Sequence, residues 1–349
     1  MDIHKPELWR CYLMSAAILV AALGGGTAAA QIAAVGPGTG TSRSIELASG
    51  TIPVEQAFKL KGAMGEAAFA ADVEAVVGRL VERTEMTGRC ASPAETAAAA
   101  QLELVRRTRD PQAYASSRAA AEAALAQRRE LQKLYLGGAE APAPYGLVRR
   151  MVARARAESN PRLAELYRRM AEDQFSHIDS VTLRPFVGPG VHTMWEKGLD
   201  DAALAYVDAT ISSEWCPMKL AHAAWLKADL RDHGWYKISI YGADADQAAW
   251  LIVQHARHDL AFQETVVAML EPLWQSGETA GENFANLYDQ TAHFKGRPGR
   301  FGVMGDCTAP GVWTPAPQED EDATDAWRAK AGMPPFAQYV ATRARGCTD

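Results

Sequence analysis

The strongest constraint on how this chain can fold is a repeated start signal for α-helices. Ser92-Pro93-Ala94-Glu95 places a side-chain acceptor at the cap, Pro at the first helical position and Glu three residues after the cap. Asp110-Pro111 repeats the cap-then-Pro order. Pro fits there because the first turn of a helix leaves its N–H groups without intrahelical partners. Around these starts, from Val54 to about Leu136, the chain is rich in Ala, Glu, Arg and Leu. Phe69, Val73, Val76, Val77 and Leu80 step three and four at a time. The pattern predicts about three packed helices, with the charges on solvated faces and no catalytic constellation.

Gly137 to Gly146, with Pro142 and Pro144 inside it, is the clearest breaker in the chain and is read as a linker. Helical spacing resumes over Leu147–Ala157, over Arg162–Ser176 after Asn160-Pro161, over Asp200–Asp208, and over Leu220–Asp232, where Gly234 stops it. Asp246–Gln275 reads as one helix capped by Asp246, with Pro272 able to kink or end it early. The expected fold is mainly α: a helical N-terminal segment over 51–136, a linker over 137–146, and a mostly helical domain over 147–349. Short strands or irregular loops are expected near 235–242 and 293–315.

The two ends bear on location. Lys5 and Arg10 precede an apolar run from Cys11 to Leu23, and Ala28-Ala29-Ala30 follows before Gln31. This order is that of a secretory signal over residues 1–30, with an apolar core well short of the roughly 20 residues a spanning helix needs. Residues 31–50 read as a flexible leader. Its GPGTG lacks the Lys-Ser/Thr ending of a phosphate loop. A periplasmic or secreted protein is therefore expected.

The net charge of −6 disfavours nucleic acid, and no basic block marks a membrane surface. Beyond Cys11 stand Cys90, Cys216, Cys307 and Cys347. Four thiols in an oxidising compartment permit two disulfides in three connectivities, and Cys307–Cys347 would staple the tail.

Several separate motifs then resemble one known family. They are His233-Gly234-Trp235, and Trp250-Leu-Ile-Val-Gln254-His255-Ala256 followed by Asp259, Phe262 and Gln263. Further on come Asn283 to Asp289, Gly296-Arg297-Pro298, and Arg328 with Gly332-Met333-Pro334-Pro335 and Tyr339. Together with Met170-Ala-Glu-Asp173-Gln174 they resemble the domain-of-unknown-function family 6624 (DUF6624) over about residues 160–342, with 182–207 read as an insertion. The family has no assigned activity, so the resemblance implies a fold unit and no mechanism. Where the family has Pro, Gln and Arg, this chain has Leu260, Gly299 and Gln290.

The polar residues of these motifs are the candidates for a site. On an unbroken helix His255 and Asp259 are i,i+4 neighbours, and an Asp beside a His orients its ring and raises its basicity, as a general base requires. Gln254, Asp173, Gln263 and Asp289 are the expected ligand-binding companions. Asp173 or His177 could instead join the pair as metal ligands, although no metal or cofactor is expected. A structural reading competes: Asp259 as the cap of a second helix and His255 as a buried group at the junction. Asp289 would satisfy the amides of the turn after it. No G-x-S-x-G, H-E-x-x-H, P-loop or dinucleotide glycine pattern is present. The first expectation is a module binding an unknown small molecule or protein, and the second is a hydrolase-like enzyme using His255 and Asp259.

Overall fold

A computed structural model of the chain describes residues 52–142, 145–179 and 198–347. The segments read as signal and leader lie outside the described residues, as does most of the expected insertion. The first helical region holds four helices rather than about three: α1 (Val54–Met64), α2 (Glu66–Thr87), α3 (Pro93–Arg107) and α4 (Pro111–Leu136). The extra break is at Gly65, whose φ of +83° is costly for any other residue. Both start signals act as read. Ser92 and Glu95 form a reciprocal capping box, and Asp110 accepts from the amides of Gln112 and Ala113.

After Gly137 and Gly138 come α5 (Gly146–Ala157), α6 (Pro161–Asp179) and α7 (Asp201–His233). The two helical stretches read at 200–208 and 220–232 are thus one helix, which runs through Pro217. A proline there removes one ladder bond, and burial along the whole helix outweighs that loss. At 33 residues it is about 50 Å long. Its first half packs Ala203, Val207 and Ile211 on Ala121, Ala124 and Leu125 of α4, and Ala202 on the α1–α3 cluster. Its second half packs Ala223, Leu226 and Leu230 into the main core. That core is completed by α5, α6, α9 (Ala243–Gln254), α10 (Leu260–Gln275) and α11 (Gly281–Phe294).

Near 235–242, where a strand or loop is expected, the short helix α8 (Ile238–Tyr241) forms instead. The 293–315 region does hold the sheet, an antiparallel hairpin of β1 (Gly305–Ala309) and β2 (Val312–Pro315). The chain ends in α12 (Thr324–Lys330) and α13 (Phe336–Ala344). The cysteines pair as Cys90–Cys216 and Cys307–Cys347. Among the described residues no helix is long and apolar enough to cross a membrane.

Candidate functional site

The helix read over Asp246–Gln275 is two helices, and the break changes the candidate pair. α9 ends at Gln254, His255 stands at its C-cap, and Asp259 caps α10 by accepting from the amide of Phe262 at 3.0 Å. The second carboxylate oxygen of Asp259 takes the ammonium of Lys227. Leu260 is the first helical residue of α10, the position where Pro is preferred. His255 and Asp259 are therefore not the paired neighbours of an unbroken helix.

The partner of His255 comes from α6. Its Nδ1 lies 2.8 and 3.0 Å from the two oxygens of Asp173. Asp173 also accepts from Trp215 Nε1 of α7 at 3.1 Å and from Gln174 Nε2 at 3.0 Å. Burial alone would push the Asp173 carboxyl up, but His255, with His177 and His222 behind it, holds it well below the usual carboxylate range. An ionised carboxylate only accepts, so His255 Nδ1 carries a proton, and Nε2 is the ring nitrogen not engaged by Asp173.

Aromatic groups wall this pair. The His177 and His255 rings stack at 4.9 Å, and Trp215 meets them edge-on at 5.4 and 5.3 Å. Lys219 lies 4.5 Å from the centre of the Trp215 ring. Burial, followed by the charge of His255, lowers the His177 pKa to about 3, so His177 is neutral near pH 7. On the other side of α6, Glu172 reaches His222 Nε2 at 3.3 Å.

Most of the other motif residues are occupied in the fold. Gln263 donates to the carbonyls of Val253 and Gln254, and Gln290 also donates to the Gln254 carbonyl, so two amides close the open end of α9. Gly234, at φ +72°, stops α7. Asp246, read as a helix cap, instead sits inside α9 and accepts from Trp235, Thr279, Asn283 and the amide of Ala280. Asp289 accepts from the amides of Arg300, Phe301 and Val303, as the turn reading expects. Burial outweighs those amides and raises its pKa. Arg328, fully buried, donates to the carbonyls of Phe301 and Pro334. His258 is half-buried and lies against Gly88.

His255 is one of several motif residues that carry an unpartnered buried polar atom. The residue is 7% exposed, and its Nε2 is buried without a hydrogen-bond partner among the described residues. Gln174 Oε1, Gln254 Oε1, Gln263 Oε1 and Trp250 Nε1 share that condition. A buried polar atom without a partner costs about 1–3 kcal/mol, so a ligand that hydrogen-bonded any of these atoms would recover that cost. Two surface hollows, one along α4 and one between Gly138 and α5, contain none of these residues. Among the described residues no group of three or more His, Cys, Asp or Glu side chains is placed to hold a metal ion. Trp215 is not among the candidates that the sequence offers. Trp215 lies inside a long helix, where an aromatic residue carries no positional signal.

The sequence model of a family of unknown function, DUF6624, matches residues 200–345. The matched stretch begins with α7, so it includes Trp215 and His255, while Asp173 and His177 on α6 precede it. No curated protein and no solved structure matches the chain.

Proposed function

We propose that this chain is an exported binding module whose DUF6624 region takes a small hydrogen-bond-donating molecule at Nε2 of His255. The observation that carries the reading is the unpartnered Nε2, opposite an Nδ1 that is committed to Asp173. Gln174 Oε1 and Gln254 Oε1 are further acceptors, which favours hydroxyl- or amine-bearing ligands over anions. Export is supported by the two disulfides, which persist in oxidising compartments.

The test is a thermal-shift screen of sugars, polyols and amines against the wild type and His255→Gln. A ligand that raises the wild-type melting temperature and leaves a folded His255→Gln protein unmoved supports the site. A ligand that stabilises both equally sinks it. The Asp173 bond favours a second reading, a hydrolase-like enzyme in which His255 is the base and Asp173, not Asp259, orients it. Turnover of a model ester or amide, lost in both His255→Gln and Asp173→Asn, would select that reading. The burial of His255 counts against the enzymatic reading, which needs the ring to open into a cleft.

A further inference from the structure

The loop between α2 and α3 belongs to the N-terminal helical segment, yet it reaches the His255 site at two points. Cys90 is bridged to Cys216, the residue after Trp215, whose indole bonds Asp173 and edges the His255 ring. Two residues earlier, Gly88 comes so close to the 255–259 turn that a Cβ there would stand 3.1 Å from the His258 ring and 3.2 Å from Leu220. The loop therefore spans from α7 to the turn that carries His255. Gly88 adopts φ +63°, which ends α2 and turns the chain onto this surface.

We propose that the Gly88–Ser92 loop is the cover of the His255 site, latched shut by the Cys90–Cys216 disulfide. This rests on reading His255 as a ligand site. The latch explains why a site with unpartnered acceptors is closed, and it makes access to the site respond to thiols. Cys216 is buried and Cys90 is partly exposed, so the thiolate of a dithiol reductant attacks Cys90 Sγ and expels the Cys216 thiolate, which takes up a proton. The second thiol of the reductant then attacks its own sulfur in the mixed disulfide and releases Cys90. Two electrons and two protons pass to the protein, and the reductant leaves as a disulfide. Without the bridge, the loop keeps its packing on His258 and Leu220, the Thr84 bond to the Arg89 carbonyl and the Ser92–Glu95 capping box at its end.

The experiment is carbethoxylation by diethyl pyrocarbonate, which labels neutral imidazole nitrogens, mapped by mass spectrometry. Oxidised full-length protein is compared with protein treated with dithiothreitol and with Cys90→Ser/Cys216→Ser. Labelling of His255 should be slow in the oxidised chain and rise about tenfold or more without the bridge, the size of change expected when a local opening loses such a constraint. Amide exchange over α5 and α6 should stay protected.

Equal protection of His255 with and without the bridge overturns the proposal, and so does rapid labelling of the oxidised protein. If loss of the bridge unfolds α5 and α6, Gly88→Val decides instead. It keeps the bridge but strains the loop, since a β-branched residue does not tolerate φ +63° and also crowds His258 and Leu220, and its His255 must label faster for the cover to stand. Failure of the underlying reading looks different. There, His255 becomes accessible on reduction as expected, but no small molecule in the thermal screen depends on it.

Discussion

Across 82 positions of sequence, His255 Nδ1 meets Asp173 Oδ2 at 2.8 Å, and this bond sets which end of the imidazole is left open. Asp173→Asn tests it directly. A carboxamide can turn its NH₂ toward Nδ1, which moves the ring proton to Nε2 and makes the open end a donor. Nitrogen-15 NMR of labelled histidine should show the Nδ1–H tautomer in the wild type and the Nε2–H tautomer in the variant. An unchanged tautomer would mean that Asp173 does not orient the ring. Asp173→Ala should cost about 3 kcal/mol, because it strands His255, Trp215 and Gln174 donors in the core.

The same cluster should make the protein acid-sensitive. The His177 pKa is lowered to about 3 in the folded chain, so between its ordinary value of about 6.5 and 3 the unfolded state binds a proton that the folded state does not. Stability from this group is complete above about pH 6.5 and is lost as pH falls toward 3. Asp173, held below its ordinary value, adds a further loss that begins only below about pH 4. The melting temperature should therefore decline from pH 7 to pH 4, and His177→Gln should flatten that decline. A His177→Gln profile parallel to the wild type would show that another group drives the loss.

Asp259 should behave as a cap rather than as a catalytic partner. Asp259→Ala removes the bond to the Phe262 amide and the exposed pair with Lys227. The cost expected is about 1 kcal/mol, or about 2 °C in a domain of this size. The histidine tautomer and any ligand response should be unchanged. A lost ligand response in a folded Asp259→Ala protein would restore Asp259 to the site.

Local chemistry made the helices legible. Ser92-Pro93 and Asp110-Pro111 act within four residues of themselves, so the signal and its effect lie in the same stretch of sequence. The break at 255–259 was only half legible. Asp259 with Leu260 fits a cap and first turn, but the apolar spacing of Trp250, Val253, Leu260 and Val267 continues through it. What opens the helix is long-range, with Gln263 and Gln290 taking the carbonyls at the end of α9. The dyad was legible only as a list of candidates, because α6 and the end of α9 meet through packing that no spacing encodes. Asp246 was misread for the same reason, since all four of its donors come from other elements or loops.

Gly299 offers a specific test of how closely the backbone must approach Asp289. A Cβ at this position would lie 2.9 Å from Asp289 Cγ and 3.0 Å from both carboxylate oxygens. Gly299 has no left-handed φ, so Ala is not excluded by the backbone, and the whole cost of Gly299→Ala should come from displacing that carboxylate. The displaced Asp289 would release the amides of Arg300, Phe301 and Val303, all buried or partly so, at a cost of about 2–3 kcal/mol. Gln, larger than Ala, should cost at least as much at this position.

Because the cost passes through Asp289, a double-mutant cycle separates it from general crowding. In an Asp289→Ala background Gly299→Ala should be nearly neutral, giving a coupling of at least about 1 kcal/mol in denaturant titrations. Additive costs would show that Gly299 is required for a reason other than the Asp289 carboxylate.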